Sequence, residues 1–210
     1  MKYPKIYTVY KRDPGTKYRT LLLNQFALPE FEYLADLEWG WTEKIDGTNV
    51  RVVWTPDEGA PLSFKGRTDK AQFPTFLYEK LQQMFTVEQF GELYPDVPMT
   101  LYGEGFGARI QKGGGNYISD GVSFILFDVM IGSYWLEREN VEDIAAHLGI
   151  DVVPIVGQGS LHDAVKLTRD GFQSLVGSQM AEGLVMRPSV ELLTRRGHRV
   201  IAKIKHKDFT

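Results

Sequence analysis

The sequence contains no cysteine and no long apolar run. Without cysteine, the chain can form neither disulfides nor thiolate metal sites, it has no cysteine nucleophile, and its composition fits a reducing compartment. No apolar stretch approaches the roughly 18 residues that a membrane-spanning helix needs, and the residues after Met1 lack the apolar core of a secretory signal. We therefore expect no membrane partner and a cytoplasmic location.

A strong charge of either sign is also missing, since the 210 residues carry a net charge of only −3. The hydrophobic content of 43% is enough for a substantial core, which argues against disorder. A nucleic-acid-binding protein with this net charge needs its basic residues on one face. Six basic residues and no acid lie in RRGHRVIAKIKHK (195–207). A solvated edge strand explains that segment as well as a binding surface does.

Apolar alternation predicts an α+β chain of antiparallel strands with inserted helices rather than a regular βαβ repeat. Predicted strands are 41–54 (a hairpin or two strands around Asp46-Gly47), 63–68, 99–107, 122–131, 151–159, 181–190 and 198–207; predicted helices are 75–94, 137–149 and 160–172, the last with Ser160 as N-cap.

Charged side chains occur inside these predicted strands. Because residues i and i+2 of a strand share a face, Lys44 and Asp46 are expected on one side, and Lys203 and Lys205 likewise. Any one of these charged residues could simply face solvent on an alternating strand, but all of them together, in this order, are harder to explain in that way. Further positions of this kind are Glu104, beside Gly103 and Gly105 where backbone could approach a ligand; Glu182, before Gly183; and Phe127, on the face of Ile125 and opposite Asp128.

Five short motifs resemble those of the covalent nucleotidyltransferases, the superfamily of ATP-dependent DNA ligases, RNA ligases and mRNA capping enzymes. EKIDGTN (43–49) resembles its Lys-x-Asp-Gly motif I, and LYGEGFG (101–107), FILFDV (124–129), AEGLVMRP (181–188) and IAKIKHK (201–207) resemble motifs III, IIIa, IV and V in the family order. The residues flanking motif I are most similar to those of type 2 RNA ligases and of phage and bacterial RNA ligase family proteins.

The resemblance implies a nucleotidyltransferase fold of the ligase adenylation (ATP-grasp-like) kind, with ATP and Mg²⁺ or Mn²⁺ as cofactors and AMP carried on Lys44. It also implies that the enzyme joins RNA ends, a 5′-phosphate to a 3′-hydroxyl. By the same resemblance, the catalytic residues are Lys44, Glu182, Lys203 and Lys205; the nucleotide contacts are Glu43, Ile45, Asn49, Arg67, Glu104, Phe127 and Lys203; the metal ligands are Asp46, Glu104 and Glu182; and the polynucleotide contacts are Lys112, Arg195, Arg196, Arg199 and Lys207.

A lysine nucleophile poses an electrostatic problem in this sequence. With an ordinary pKa near ~10.4, only about 0.04% of a lysine is neutral at pH 7, so Lys44 needs cationic neighbours that lower its pKa. Asp46 on the same face would act in the opposite direction. A divalent metal near Asp46, held by oxygen ligands and water, would offset that carboxylate and screen the phosphates.

The resemblance covers nearly the whole chain, so we expect one nucleotidyltransferase domain at 1–210, with no C-terminal OB-fold or helical domain. A partner chain could supply such a domain. An ATP-dependent RNA ligase is the favoured function. The alternatives are a DNA ligase, a GTP-using capping enzyme, and a nucleotide-binding or RNA-binding module that retains the ligase fold.

Overall fold

The computed structural model describes residues 1–209 and confirms the α+β class, with antiparallel sheets flanked by helices. No helix in this range combines the length and apolarity that a membrane crossing requires. The strands are β1 (Tyr7–Thr8), β2 (Tyr10–Arg12), β3 (Leu21–Phe26), β4 (Trp39–Glu43), β5 (Thr48–Trp54), β6 (Leu62–Gly66), β7 (Met99–Gly107), β8 (Val122–Ile131), β9 (Tyr134–Trp135), β10 (Asp151–Val152), β11 (Ile155–Gly159), β12 (Gly183–Pro188) and β13 (Ala202–Lys205). The helices are α1 (Pro29–Tyr33), α2 (Thr75–Met84), α3 (Val87–Leu93), α4 (Arg138–Leu148) and α5 (Leu161–Asp170).

The chain divides into two compact units. The first unit comprises residues 1–3 and 46–153. Its sheet has the order β10-β8-β7-β5-β6, with β9 paired to β8. One face of this sheet packs on α2, α3 and α4 through a core that includes Leu81, Phe85, Phe124 and Ile144.

The second unit comprises residues 4–45 and 154 onward. Its main sheet has the order β1-β13-β12-β4-β11, and β2 pairs with β3 in a separate ribbon. Its core includes Trp39, Leu161, Met186 and Ile204. The basic strand β13 is therefore not an edge strand, because β1 and β12 flank it.

Several predicted elements are confirmed within a residue or two. β7 and β8 match the predicted strands. α4 ends at Leu148 and is capped by Gly149, which has the left-handed φ of 68° that favours glycine. Ser160 caps α5 in a capping box with Asp163.

Other boundaries were wrong. The predicted helix 75–94 is two helices, because Phe85 is extended and Thr86 starts α3 as its N-cap. For residues 41–54, the alternative of two strands is confirmed and the hairpin is wrong, because β4 and β5 lie in different sheets. The predicted strand 151–159 also divides between two sheets.

Candidate active site

Lys44 follows β4 in the second unit, where antiparallel pairing holds it beside the start of β12. Its backbone N–H donates to the carbonyl of Gly183 at 2.9 Å. Gly183 has a φ of 153°, and a Cβ at this position would lie 2.1 Å from the carbonyl oxygen of Ile204. A glycine is therefore required where β12 and β13 approach, and this close approach brings the ends of three strands together.

Glu182 forms ion pairs with two lysines. Its Oε2 lies 2.6 Å from Lys44 Nζ, and its Oε1 lies 2.6 Å from Lys205 Nζ. The carboxylate is only 9% exposed, and the two lysine side chains are 20% and 21% exposed. The sequence motifs from three separate strands thus meet at one carboxylate, which we call the lysine–glutamate–lysine triad.

The triad sets the charge state of its carboxylate. Burial alone would raise the pKa of Glu182, but the charges of Lys44 and Lys205 and their hydrogen bonds outweigh burial and hold this pKa below its ordinary value. Glu182 is therefore ionised at neutral pH and stabilises both ammonium groups. The sequence predicts that Asp46 opposes deprotonation of Lys44, whereas in the second unit Glu182 has that effect.

Replacement of Glu182 by glutamine is expected to lower the free energy of unfolding by about 2 kcal/mol at pH 7, because two lysines lose a charged partner. A lowered folded-state pKa stabilises the fold above the unfolded-state value of 4.5, and this stabilisation is lost as the pH falls through the folded-state pKa. The difference between wild type and variant should therefore shrink below about pH 4.5. Urea unfolding across this pH range measures it.

Glu142→Gln is the matched control, because Glu142 pairs with Arg138 on the exposed surface of α4. Its effect should be small at every pH. If the difference in free energy of unfolding between wild type and Glu182→Gln did not change with pH, the assignment of Glu182 as ionised would be contradicted.

Lys203 and Lys205 lie two residues apart in β13 and are half-buried between the buried residues Ala202 and Ile204, which confirms their shared face. The end of this strand is anchored by Asp208, a residue that the sequence analysis did not single out. Asp208 accepts from Lys205 N at 3.1 Å and from Arg12 Nη2 at 2.7 Å. The signal that could have identified Asp208 is its position three residues after Lys205.

Glu43 has partners that the sequence did not indicate. It is 1% exposed, and its two oxygens accept from Ser174 Oγ at 2.5 Å and Leu175 N at 2.7 Å. Ser174 Oγ in turn accepts from the N–H groups of Val176 and Gly177. Glu43 therefore anchors the loop that leads to Glu182, and this position does not fit the expected contact with the nucleotide. Ile45 is also buried.

The other predicted nucleotide and metal residues lie in the first unit. Asp46, the residue after Ile45, is the first of them, so the division between units falls inside motif I. Lys44 and Asp46 lie between β4 and β5 rather than within one strand, so alternation does not place them on a common face. Asn49 pairs with Glu104 across β5 and β7. Its Oδ1 is buried and has no hydrogen-bond partner within residues 1–209.

Asp46 and Glu104 are two hard oxygen donors in the first unit. Gly47 packs closely against Glu104. A Cβ at Gly47 would lie 2.7 Å from Glu104 Cγ. Carboxylates suit Mg²⁺ or Mn²⁺, which keeps water ligands when few protein ligands are available. Within residues 1–209, no three acidic or histidine side chains form a metal cluster. The full set of Asp46, Glu104 and Glu182 thus remains a prediction.

The glycines of β7 have a packing role that the sequence analysis did not expect. A Cβ at Gly103 would lie 2.2 Å from the ring of Phe124 and 2.4 Å from the carbonyl of Ile125. The space beside Gly103 is therefore filled by the protein rather than kept for a ligand.

Phe127 lies at an irregularity in β8. Tyr102 of β7 pairs with Asp128 and Gly103 pairs with Leu126, so Phe127 is the extra residue of a β-bulge. Alternation therefore does not set its direction relative to Asp128. The remaining nucleotide residue, Arg67, is exposed just after β6.

The predicted polynucleotide residues fall into two groups. Lys112, Arg195, Arg196 and Lys207 are exposed. Arg199 is not, because its side chain is 4% exposed and its guanidinium pairs with Glu191. Arg199 therefore stabilises its own segment, and the expected phosphate contact does not fit this structure.

The comparisons agree with the motifs. A model of the RNA ligase family matches residues 37–205. No curated protein matches. Among solved structures, a Naegleria gruberi RNA ligase mutant without ligand has a TM-score of 0.66 at 17% identity, over 99% of this chain and 58% of that one. A mutant of that ligase with ATP and Mn has a TM-score of 0.67 at 18% identity, over 99% of this chain and 59% of that one.

The same Naegleria gruberi ligase with PPi gives a TM-score of 0.65 at 19% identity, over 97% of this chain and 57% of that one. This chain thus spans about three fifths of the ligase structures it matches, and at these identities the likeness shows the fold. The family model covers residues 37–205, which is more than half of the chain and contains four of the motifs in full and residues 201–205 of the fifth, so the chain belongs to the RNA ligase family.

Proposed function

We propose that this chain is the nucleotidyltransferase part of an ATP-dependent RNA ligase. The observation that carries the proposal is the lysine–glutamate–lysine triad, because it places an amine nucleophile beside a carboxylate and a second cation. A nucleotide-binding module has no need of such a nucleophile. The family membership and the structures of a related ligase with ATP, Mn and PPi support the same reading.

In the proposed first step, Lys44 Nζ attacks the α-phosphate of ATP. A P–N bond forms, the bond to pyrophosphate breaks, and the lysine proton must leave. Glu182 Oε2 is 2.6 Å from Nζ and can receive that proton. Lys205 and Lys203 supply positive charge as negative charge moves onto the leaving pyrophosphate. The exposed Arg67, and the amide oxygen of Asn49, which accepts no hydrogen bond within residues 1–209, are suited to the phosphates and ribose.

In the later steps, the AMP passes from Lys44 to the 5′-phosphate of an RNA end, with cleavage of the P–N bond. A 3′-hydroxyl then attacks that 5′-phosphate, a phosphodiester forms and AMP leaves. Bound Mg²⁺ or Mn²⁺ would neutralise phosphate charge near Asp46 and Glu104.

Incubation with labelled ATP, GTP or NAD, followed by a denaturing gel and mass spectrometry, tests the proposal. We expect a covalent AMP adduct from ATP alone. A GMP adduct would favour a capping enzyme, and no adduct would favour a binding module. Joining of nicked and single-stranded RNA and DNA then separates RNA ligase from DNA ligase and shows whether one domain suffices or a partner chain is needed.

Sealing is expected to depend more strongly on salt than adduct formation does. With Arg199 paired to Glu191, at most four of the predicted phosphate contacts are exposed. Four contacts give a log–log salt slope of about −3 for single-stranded RNA. Measurement of both steps from low to moderate salt checks this expectation. Efficient sealing that is insensitive to salt would mean that other residues hold the RNA.

A further inference from the structure

Tyr3 contacts Phe127, which the resemblance to the nucleotidyltransferases implies is the residue that stacks on the adenine of ATP. The Tyr3 ring lies 5.0 Å from the Phe127 ring, centroid to centroid, at an interplanar angle of 78°. It also lies 5.2 Å from Tyr102 and 5.4 Å from Trp135. Its hydroxyl donates to Asp128 Oδ2 at 2.7 Å. Tyr3 therefore contacts both Phe127 and the residue that follows it.

This contact matters because Phe127 is the extra residue of a β-bulge. A bulge breaks the alternation of side chains and redirects the residue it contains. The ladder between β7 and β8 thus does not fix the direction of the Phe127 ring. The edge-to-face contact with Tyr3 constrains the ring, and the hydrogen bond to Asp128 constrains the backbone beside it.

Tyr3 is itself held in place through the backbone of Met1. The carbonyl of Met1 accepts from Tyr102 Oη at 2.9 Å and from Arg51 Nη1 at 3.4 Å. Burial raises the pKa of Tyr102 to about 12, so its hydroxyl remains a donor at neutral pH. The side chain of Arg51 is 3% exposed and cannot lose its proton at neutral pH.

Arg51 connects the same segment to the turn that carries Arg67. Its guanidinium donates to the carbonyl of Gly66 at 2.8 Å and to Asp69 Oδ1 at 2.8 Å, on either side of Arg67. Lys2 Nζ lies 3.6 Å from the other oxygen of Asp69.

We infer that Tyr3 is a positioning residue for base recognition: it orients Phe127 from the segment that Arg51 and Tyr102 hold in place. This inference rests on the proposed function, and on the implied role of Phe127 as the residue that stacks on the adenine. It predicts that Tyr3 affects the affinity for the base of ATP and leaves the phosphate chemistry unchanged.

The test measures AMP-adduct formation in single turnover as a function of ATP concentration. Tyr3→Ala should raise the half-saturating ATP concentration about two- to tenfold, with a maximal rate within about twofold of wild type. Tyr3→Phe keeps the ring and should restore most of the affinity. Phe127→Ala should weaken ATP binding at least as much. Tyr134→Ala is the control, because Tyr134 is 76% exposed in the same unit.

Inorganic tripolyphosphate, a competitor without a base, separates positioning from general damage. Its inhibition constant should be the same for wild type and Tyr3→Ala. An unchanged half-saturating ATP concentration, or an equal weakening of ATP and tripolyphosphate, would overturn the inference. If wild type forms no adduct, the proposed function fails, and equilibrium binding of ATP and tripolyphosphate to the same variants still decides the role of Tyr3.

Discussion

Replacement of Lys44 by alanine is expected to abolish the AMP adduct completely, even at long incubation and high ATP. The amine of Lys44 lies beside Glu182 at the convergence of β4, β12 and β13, and alanine provides no nucleophile in its place. Glu182 keeps its ion pair with Lys205, so the fold should persist. The measurement is radiolabel on a denaturing gel, with thermal unfolding to confirm that the variant is folded.

Two further variants separate nucleophilicity from charge. Lys44→Arg keeps a positive charge for Glu182, but a guanidinium cannot be deprotonated at neutral pH, so no adduct should form. Lys166→Ala removes an exposed lysine of α5 that pairs with Asp170, and its adduct should equal that of wild type. Label that persists on Lys44→Ala, located on another lysine by peptide mapping, would show that the nucleophile is misassigned.

In the proposed mechanism, the triad would keep the nucleophile Lys44 protonated until ATP binds. A carboxylate at 2.6 Å stabilises the ammonium form of Lys44, which cannot attack a phosphate. The arriving phosphates compete with Glu182 for the charge of Lys205. Once Lys205 turns toward the phosphates, Glu182 loses one of its two cations and becomes a better acceptor for the proton of Lys44. Activation of the lysine would thus depend on the presence of substrate.

The sequence predicted those parts of the site that depend on short-range pattern. The shared face of Lys203 and Lys205 follows from alternation alone, and strands β7 and β8 were predicted from their apolar runs. The order of the five motifs identified the family without any contact information. The strands, the shared face and each single motif have one property in common: each is determined by residues a few positions apart.

Pairing between strands could not be predicted in this way. Residues 41–54 alternate like a hairpin, but β4 pairs with β11 and β12 while β5 pairs with β6 and β7. Apart from β6, which directly follows β5, these partners lie far away in sequence, and local pattern holds no information about them. The same limit hid the burial of Glu43, whose partners Ser174 and Leu175 are more than a hundred residues distant. The bulge at Phe127 likewise depends on the register with β7.

Removal of divalent cations is expected to stop adduct formation entirely. Each carboxylate repels a phosphate charge by about 4 kcal/mol at a separation of 4 Å and an effective dielectric constant of 20. Asp46 and Glu104 would impose this repulsion on a triphosphate bound near them unless a cation intervenes. In excess EDTA we therefore expect no adduct, and added Mg²⁺ or Mn²⁺ should restore it.

EDTA that has been saturated with Mg²⁺ before the assay is the control for effects of the chelator itself, and it should leave adduct formation intact. Glu104→Gln removes one negative charge with little change in shape, so it should raise the Mg²⁺ concentration needed for half-maximal adduct formation. Thermal unfolding of the variant confirms that it is folded. Adduct formation at the full rate in EDTA would mean that Asp46 and Glu104 act on the nucleotide directly, for example as acceptors for the ribose hydroxyls, and that Lys203 and Lys205 alone neutralise the phosphates.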